Sequence, residues 1–81
     1  MRYWNIIPIL LYELNNSKMN RIKEVLEEKG IKQIWLAEKL GKSYNMVNSY
    51  VKNRRQPSIE CLYKIAEILN ISVKDLLVEH E

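Results

Sequence analysis

The stretch QIWLAEKLGKSYNMVNSYVK, residues 33–52, constrains this chain most, because one glycine divides it into two short helical patterns. Leu36, Ala37 and Leu40 form an apolar i, i+1, i+4 stripe on the first. Gly41 stops that helix, since the residue after a helix end usually needs φ > 0 and glycine adopts it without steric cost. Ser43 stands where the second helix should begin, and its hydroxyl can accept from the free N–H groups there. At about 100° per residue the second helix splits into two faces. Tyr44, Asn45, Asn48, Ser49 and Lys52 fall on one side, and Met46, Val47, Tyr50 and Val51 on the other. Amides, a hydroxyl, a phenol and a lysine along one edge make a surface suited to hydrogen-bonding a partner. A generic exposed face would more often carry Glu, Lys and Gln, which are better helix formers than Asn, Ser and Tyr.

The net charge of +3 matters less than its placement. Lys42, Lys52, Arg54 and Arg55 lie between Gly41 and Ile59, an interval without Asp or Glu, so that interval carries +4 and the rest of the chain −1. A basic island around a turn and a helix end suits a polyanion. A solvated positive face is the plainer reading of the same residues. The polar helix edge suggests the edges of DNA bases as a first partner, while charge alone leaves a polyanion and a solvated face equally open.

Other classes find little support. At 81 residues, 47% hydrophobic and 28% charged, the chain is one small globular domain whose modest core would gain from oligomerisation. Cys61 is the sole cysteine, which fits a reducing cytoplasm and excludes a disulfide scaffold. It falls on the flank of a helix stripe and reads as a half-buried structural thiol. No apolar run approaches the roughly 18 residues of a membrane span. One His at the C-terminal end, one Cys and one Asp cannot assemble a triad, a metal site or a carboxylate pair, so no catalytic residue, metal or cofactor is expected. The tyrosines, at 3, 12, 44, 50 and 63, have no fixed spacing for a single-strand stacking platform.

Residues 1–18 differ from the rest, with ten of the first fourteen apolar and Pro8 interrupting them. Proline, Glu13 and the lack of a small-residue cleavage site argue against a signal peptide. The segment is expected to pack on this domain, on a second copy or on another protein, unless Met19 is the natural start. The domain itself spans residues 19–81. Its first helix runs from about Asn20, a candidate N-cap, to Lys29, with Ile22, Val25 and Leu26 buried and Gly30 at its end. After the 33–40 and 44–52 helices, Asn53 suits a left-handed cap, and Arg54-Arg55-Gln56-Pro57 forms a polar loop. A fourth helix starts near Ser58, with Ile59, Leu62, Ile65, Ala66 and Leu69 as its core stripe and Asn70 at its end. A fifth is expected from Ser72, with Asp75 in a capping-box-like position and Val73, Leu76 and Leu77 turned inward.

Gln33-x-x-Leu36-Ala37-x-x-Leu40-Gly41, then Ser43, Val47, Tyr50, Pro57-Ser58, Leu62, Ile65-Ala66, Leu69 and Ser72-Val73-x-x-Leu76-Leu77, resembles the Xre/Cro-like phage-repressor helix-turn-helix family over about Asn20 to Val78. The resemblance implies an all-α, five-helix repressor-type bundle, here with an apolar N-terminal extension. It also implies sequence-specific binding of a duplex DNA operator as a homodimer, with helix 44–52 in the major groove. Carried over residue by residue, Tyr44, Asn45, Asn48 and Ser49 would read bases. Gln33, Lys42, Ser43, Lys52, Arg54 and Arg55 would meet phosphates. Asn can pair bidentately with adenine, worth roughly 1–3 kcal/mol of discrimination per good contact.

Two departures from the family pattern stand out. After the aromatic at Tyr50 the family commonly has Glu-Asn-Gly, where this chain has Val51-Lys52-Asn53, so Val51 must be covered by the 53–57 loop or a partner. The two residues after Gln33, commonly polar, are Ile34 and Trp35. Together with Trp4, Ile7 and Leu11 they form the expected partner or dimer surface. A regulator of this fold that binds a partner protein through residues 1–18, as an antitoxin does, is the main rival to a dimeric repressor. A protein-interaction module that has lost DNA binding is the remoter one.

Overall fold

The computed structural model describes residues 18–78. Four α-helices appear, α1 (Ile22–Lys29), α2 (Gln33–Leu40), α3 (Tyr44–Val51) and α4 (Ile59–Leu69), followed by a 3-10 turn over Val73–Leu76. Three of the helices stop in one way. Gly30, Gly41 and Asn70 take left-handed φ values of 65°, 70° and 58°. The next residue then donates back into the helix, Ile31 to the Leu26 carbonyl at 2.9 Å, Lys42 to Ala37 at 3.1 Å and Ile71 to Ala66 at 2.9 Å. Each stop turns the chain sharply, so short helices cross around one centre. Ile22, Leu36, Val47, Ile65 and Leu76 are sealed there, one or more from every element. Ala37 is buried in the same core, where a larger side chain would have to displace its neighbours.

Serines start α3 and α4. Ser43 Oγ accepts from the Met46 N–H at 3.1 Å, and Ser58 Oγ from the Cys61 N–H at 3.1 Å. Ser58→Ala should cost about 1 kcal/mol, read as a lower urea midpoint with an unchanged m value.

Four expectations are corrected. Among the described residues no α-helix follows α4. The Asp75 N–H bonds to the Ser72 carbonyl at 3.0 Å, Ser72 makes no side-chain cap, and Leu77 is already extended. The chain leaves the turn to pair with the residues before α1: the Arg21 N–H donates to the Leu76 carbonyl at 2.7 Å and the Val78 N–H to the Met19 carbonyl at 3.3 Å. One turn closed between a left-handed cap and a β-bridge has no length over which to propagate. The same pairing turns Leu77 outward, leaving Leu76 as the core residue. On α4 the buried stripe is Cys61, Ile65, Ala66 and Leu69, while Ile59 is 72% exposed. The stripe is rotated from the expected one, so Cys61 lies in the core and not on its flank. Finally, α1 begins at Ile22, and Asn20 is a buried residue before it.

Val51 is covered, as its apolar side chain requires, but the cover comes from α1, where it lines a furrow with Lys23 and Leu26, in place of the expected 53–57 loop or partner. Among the described residues no helix is long and apolar enough to cross a membrane. The expected partner residues Trp4, Ile7 and Leu11 lie outside the described residues.

Candidate nucleic-acid interface

The turn at Gly41 delivers Lys42 and Ser43 in extended backbone, and α3 then starts abruptly at Tyr44. Asn45 is exposed at this end, and Tyr44 is exposed beside the furrow that it lines with Leu26 and Gln33. Val47, Tyr50 and Val51 anchor the opposite side of the helix in the core. Burial pushes the Tyr50 phenol above its ordinary pKa, and the neighbouring Cys61 adds to the effect, so this face of the helix stays neutral.

Further along the outer edge the side chains are already engaged. Asn48 Nδ2 donates to Gln33 Oε1 at 2.9 Å, joining the middle of α3 to the first residue of α2. The bond leaves the Asn48 side-chain oxygen and the Gln33 side-chain nitrogen without a hydrogen-bond partner among the described residues, one acceptor and one donor. Ser49 is half-buried and its Oγ donates to the Met46 carbonyl at 2.6 Å, which leaves it only acceptor capacity. The Ser49 carbonyl accepts from the Arg54 and Arg55 N–H groups at 3.0 and 3.2 Å. Of the four expected base readers, Tyr44 and Asn45 are therefore unencumbered, Asn48 is half committed to positioning Gln33, and Ser49 is largely committed to its own helix and the following loop.

Lys42, Lys52, Arg54 and Arg55 are all exposed around this edge. The ion pairs among the described residues, Lys18 with Glu24 and Arg21 with Glu28, involve none of them. Arg55 instead rests its Nη1 3.7 Å from Met46 Sδ. Four cations that flank the polar helix at its two ends, none ion-paired among the described residues, give a positive field along this edge, weakly screened within about 8 Å at physiological salt. On the outer face of α2, Ile34 and Trp35 remain 50% and 39% exposed, and Lys39, one turn on, places Nζ 5.4 Å from the Trp35 ring centre.

Asn20, Asn53 and Gln56 were not among the expected site residues, yet their side chains converge beneath the arginine loop. Asn53 was legible as a left-handed cap, and its φ is 59°. That its amide reaches residues 33 and 34 positions earlier had no local signal. Among the described residues, no three His, Cys, Asp or Glu side chains gather as a metal site.

The helix-turn-helix family pattern matches residues 22–76. This chain belongs to that family. Its relatives include the HTH-type transcriptional regulator SinR of Bacillus subtilis (strain 168), 41% identical over 63 residues, which are 75% of this chain and 57% of that protein. SinR of Bacillus licheniformis is 39% identical over 62 residues, 75% of this chain and 56% of that protein. The chain thus spans little more than half the length of these relatives. A crystal structure of a candidate DNA-binding protein from Bacteroides fragilis superposes with a TM-score of 0.73 at 45% identity, over 74% of this chain and 97% of that one. The family is the Xre/Cro-like one that the sequence resembles, and its named members are transcriptional regulators, not enzymes.

Proposed function

We propose that this helix-turn-helix protein is a sequence-specific, duplex-DNA-binding transcriptional regulator that acts as a dimeric repressor. Helix α3 enters the major groove end-on while α2 crosses the backbone. Tyr44 and Asn45 meet base edges, with Asn48 offering its carbonyl oxygen beside them and Ser49 a single acceptor. Gln33, held by Asn48, and Lys42, Ser43, Lys52, Arg54 and Arg55 meet phosphates and set the register. The observation that carries this reading is the polar edge of α3, exposed at Tyr44 and Asn45 and flanked by Lys42 before the helix and by Lys52, Arg54 and Arg55 after it, none of them ion-paired among the described residues. A surface that offers donors and positive charge without internal partners is complementary to a polyanion with acceptors on its bases.

Selection of bound duplexes from a random pool, with the oligomeric state measured on the same sample, tests it. The expected result is a palindromic consensus with half-sites one helical turn apart, about 10–10.5 bp centre to centre, or a multiple of it. Recovery of no sequence preference would end the specific-regulator reading.

The exposure of Ile34 and Trp35 favours one second reading, a regulator of the same fold that also docks a partner protein on this apolar pair, with residues 1–18 contributing. Co-purification of a second protein, lost on deleting residues 1–18, would support it.

A further inference from the structure

The chain enters the domain through a residue that is both polar and sealed. Asn20 is 1% exposed. Its Oδ1 accepts from the Ile22 N–H at 3.0 Å, and its Nδ2 donates to the Tyr50 carbonyl at 3.0 Å and to Gln56 Oε1 at 2.8 Å. Its backbone N–H donates to Asn53 Oδ1 at 2.9 Å, and its carbonyl accepts from Asn53 Nδ2 at 3.2 Å. Asn53 Oδ1 also accepts from the Met19 N–H at 2.8 Å and from Gln56 Nε2 at 3.1 Å. Backbone N–H groups only donate and backbone carbonyls only accept, so both asparagine amides have a forced orientation. The Gln56 amide then fits between them in one direction only.

Asn53 and Gln56 are thus the two feet of a four-residue loop, and both stand on Asn20. Arg54 and Arg55 are its tip, closed onto α3 through the Ser49 carbonyl. Because neither guanidinium pairs with a carboxylate among the described residues, their position is set by the loop backbone, and the loop is set by these amides. Asn53 occupies a left-handed conformation that glycine would take with less strain. What asparagine adds is the amide, with four hydrogen bonds to Met19, Asn20 and Gln56.

We infer that Asn53 is a positioning residue for DNA binding, which with Gln56 fastens the Arg54–Arg55 loop to Asn20 and acts through the two arginines without touching DNA. The inference rests on the DNA-binding reading above. Asn53→Gly tests it, since glycine keeps the left-handed backbone and removes only the amide. The variant should fold, with circular dichroism as for the wild type. Its affinity for any duplex should fall about 3- to 10-fold near 150 mM salt, and the slope of log K against log salt should flatten by about 1. In an Arg54→Ala/Arg55→Ala background the same substitution should cause no further loss. Gln56→Ala, at the exposed foot, should repeat both effects more weakly, and it decides the matter if Asn53→Gly does not fold.

Wild-type affinity and slope in both variants would overturn the inference, as would a loss that persists undiminished without the arginines. Those outcomes leave the DNA-binding reading standing as long as the arginine pair itself responds. If the wild type shows no salt-dependent affinity, or removal of both arginines changes nothing, the reading fails and takes the inference with it.

Discussion

Replacing both loop arginines, Arg54→Ala with Arg55→Ala, is expected to weaken binding to every duplex and to halve its salt dependence. The reason is counterion release. Each neutralised phosphate contributes about −0.9 to the slope of log K against log salt, so four cations per protomer give a slope of about −3.6. Between 50 and 200 mM salt, affinity per protomer should then fall roughly a hundredfold for the wild type and roughly tenfold for the double variant. Asn45→Ala should do the reverse. Its amide stands exposed at the start of α3 with no internal partner among the described residues, so it reports on base readout alone. The selected duplex should lose about 1–3 kcal/mol of its preference over a scrambled one, with the slope unchanged. Anisotropy titrations of both duplexes at several salt concentrations separate the two. Parallel behaviour of the two variants would mean that the surface does not divide into phosphate and base contacts in this way.

How far the sequence can be read depends on how local each signal is. The stops at Gly30, Gly41 and Asn70, and the caps at Ser43 and Ser58, concern atoms within about five residues of one another, and all five form as the residue types require. Val51 is a step less local. Its type alone demanded cover, and the structure supplies it from α1, where Leu26 shares the furrow. Periodicity fails at element ends. Ile59 fits the spacing of α4 but sits at its first residue, beyond the reach of the packing elements, and Cys61 takes the core place. Leu77 is turned out by a β-bridge to Asn20, a pairing between the two ends of the domain that no window of sequence contains.

The interface shows the same limit. A helical wheel tells which side chains of α3 point away from the core, but not which of them the protein has already bonded. Asn48 and Ser49 lie on the polar edge as expected, yet one holds Gln33 and the other bonds back to Met46. Asn20 is the extreme case. Its type and position suit an N-cap, and its side chain does accept from the Ile22 N–H. The bonds to Tyr50, Asn53 and Gln56, 30 to 36 positions away, make it a buried anchor instead.

That anchor can be tested without DNA. Asn20→Ala removes the donor to Tyr50 and Gln56 and the acceptor for Ile22, and leaving such buried groups unpaired should cost about 2–3 kcal/mol. Asn20→Asp should cost more at neutral pH. It is nearly isosteric, but it places a carboxylate oxygen where Nδ2 now faces the Tyr50 carbonyl and Gln56 Oε1, so acceptor meets acceptor in a site sealed from water. None of the atoms hydrogen-bonded to the Asn20 side chain belongs to a charged group. An uncompensated buried charge costs about 3–5 kcal/mol, a large share of the 5–15 kcal/mol that holds a typical domain together. Burial without a cation raises the folded-state pKa of that carboxyl above its unfolded value of about 3.9. The sign follows from proton binding. Below the unfolded pKa the group is neutral in both states and its charge has no effect. Above the folded pKa it is ionised in both, and the full penalty applies. A neutral carboxylic acid also regains an O–H that can donate to Tyr50, as Nδ2 does now. Urea unfolding of the wild type and of Asn20→Asp should therefore show a deficit that is largest at pH 7–8 and shrinks as pH falls towards 5, while the deficit of Asn20→Ala stays constant over the same range. A pH-independent deficit in Asn20→Asp would mean that residue 20 reaches water, and that the loop carrying Arg54 and Arg55 does not stand on a sealed amide.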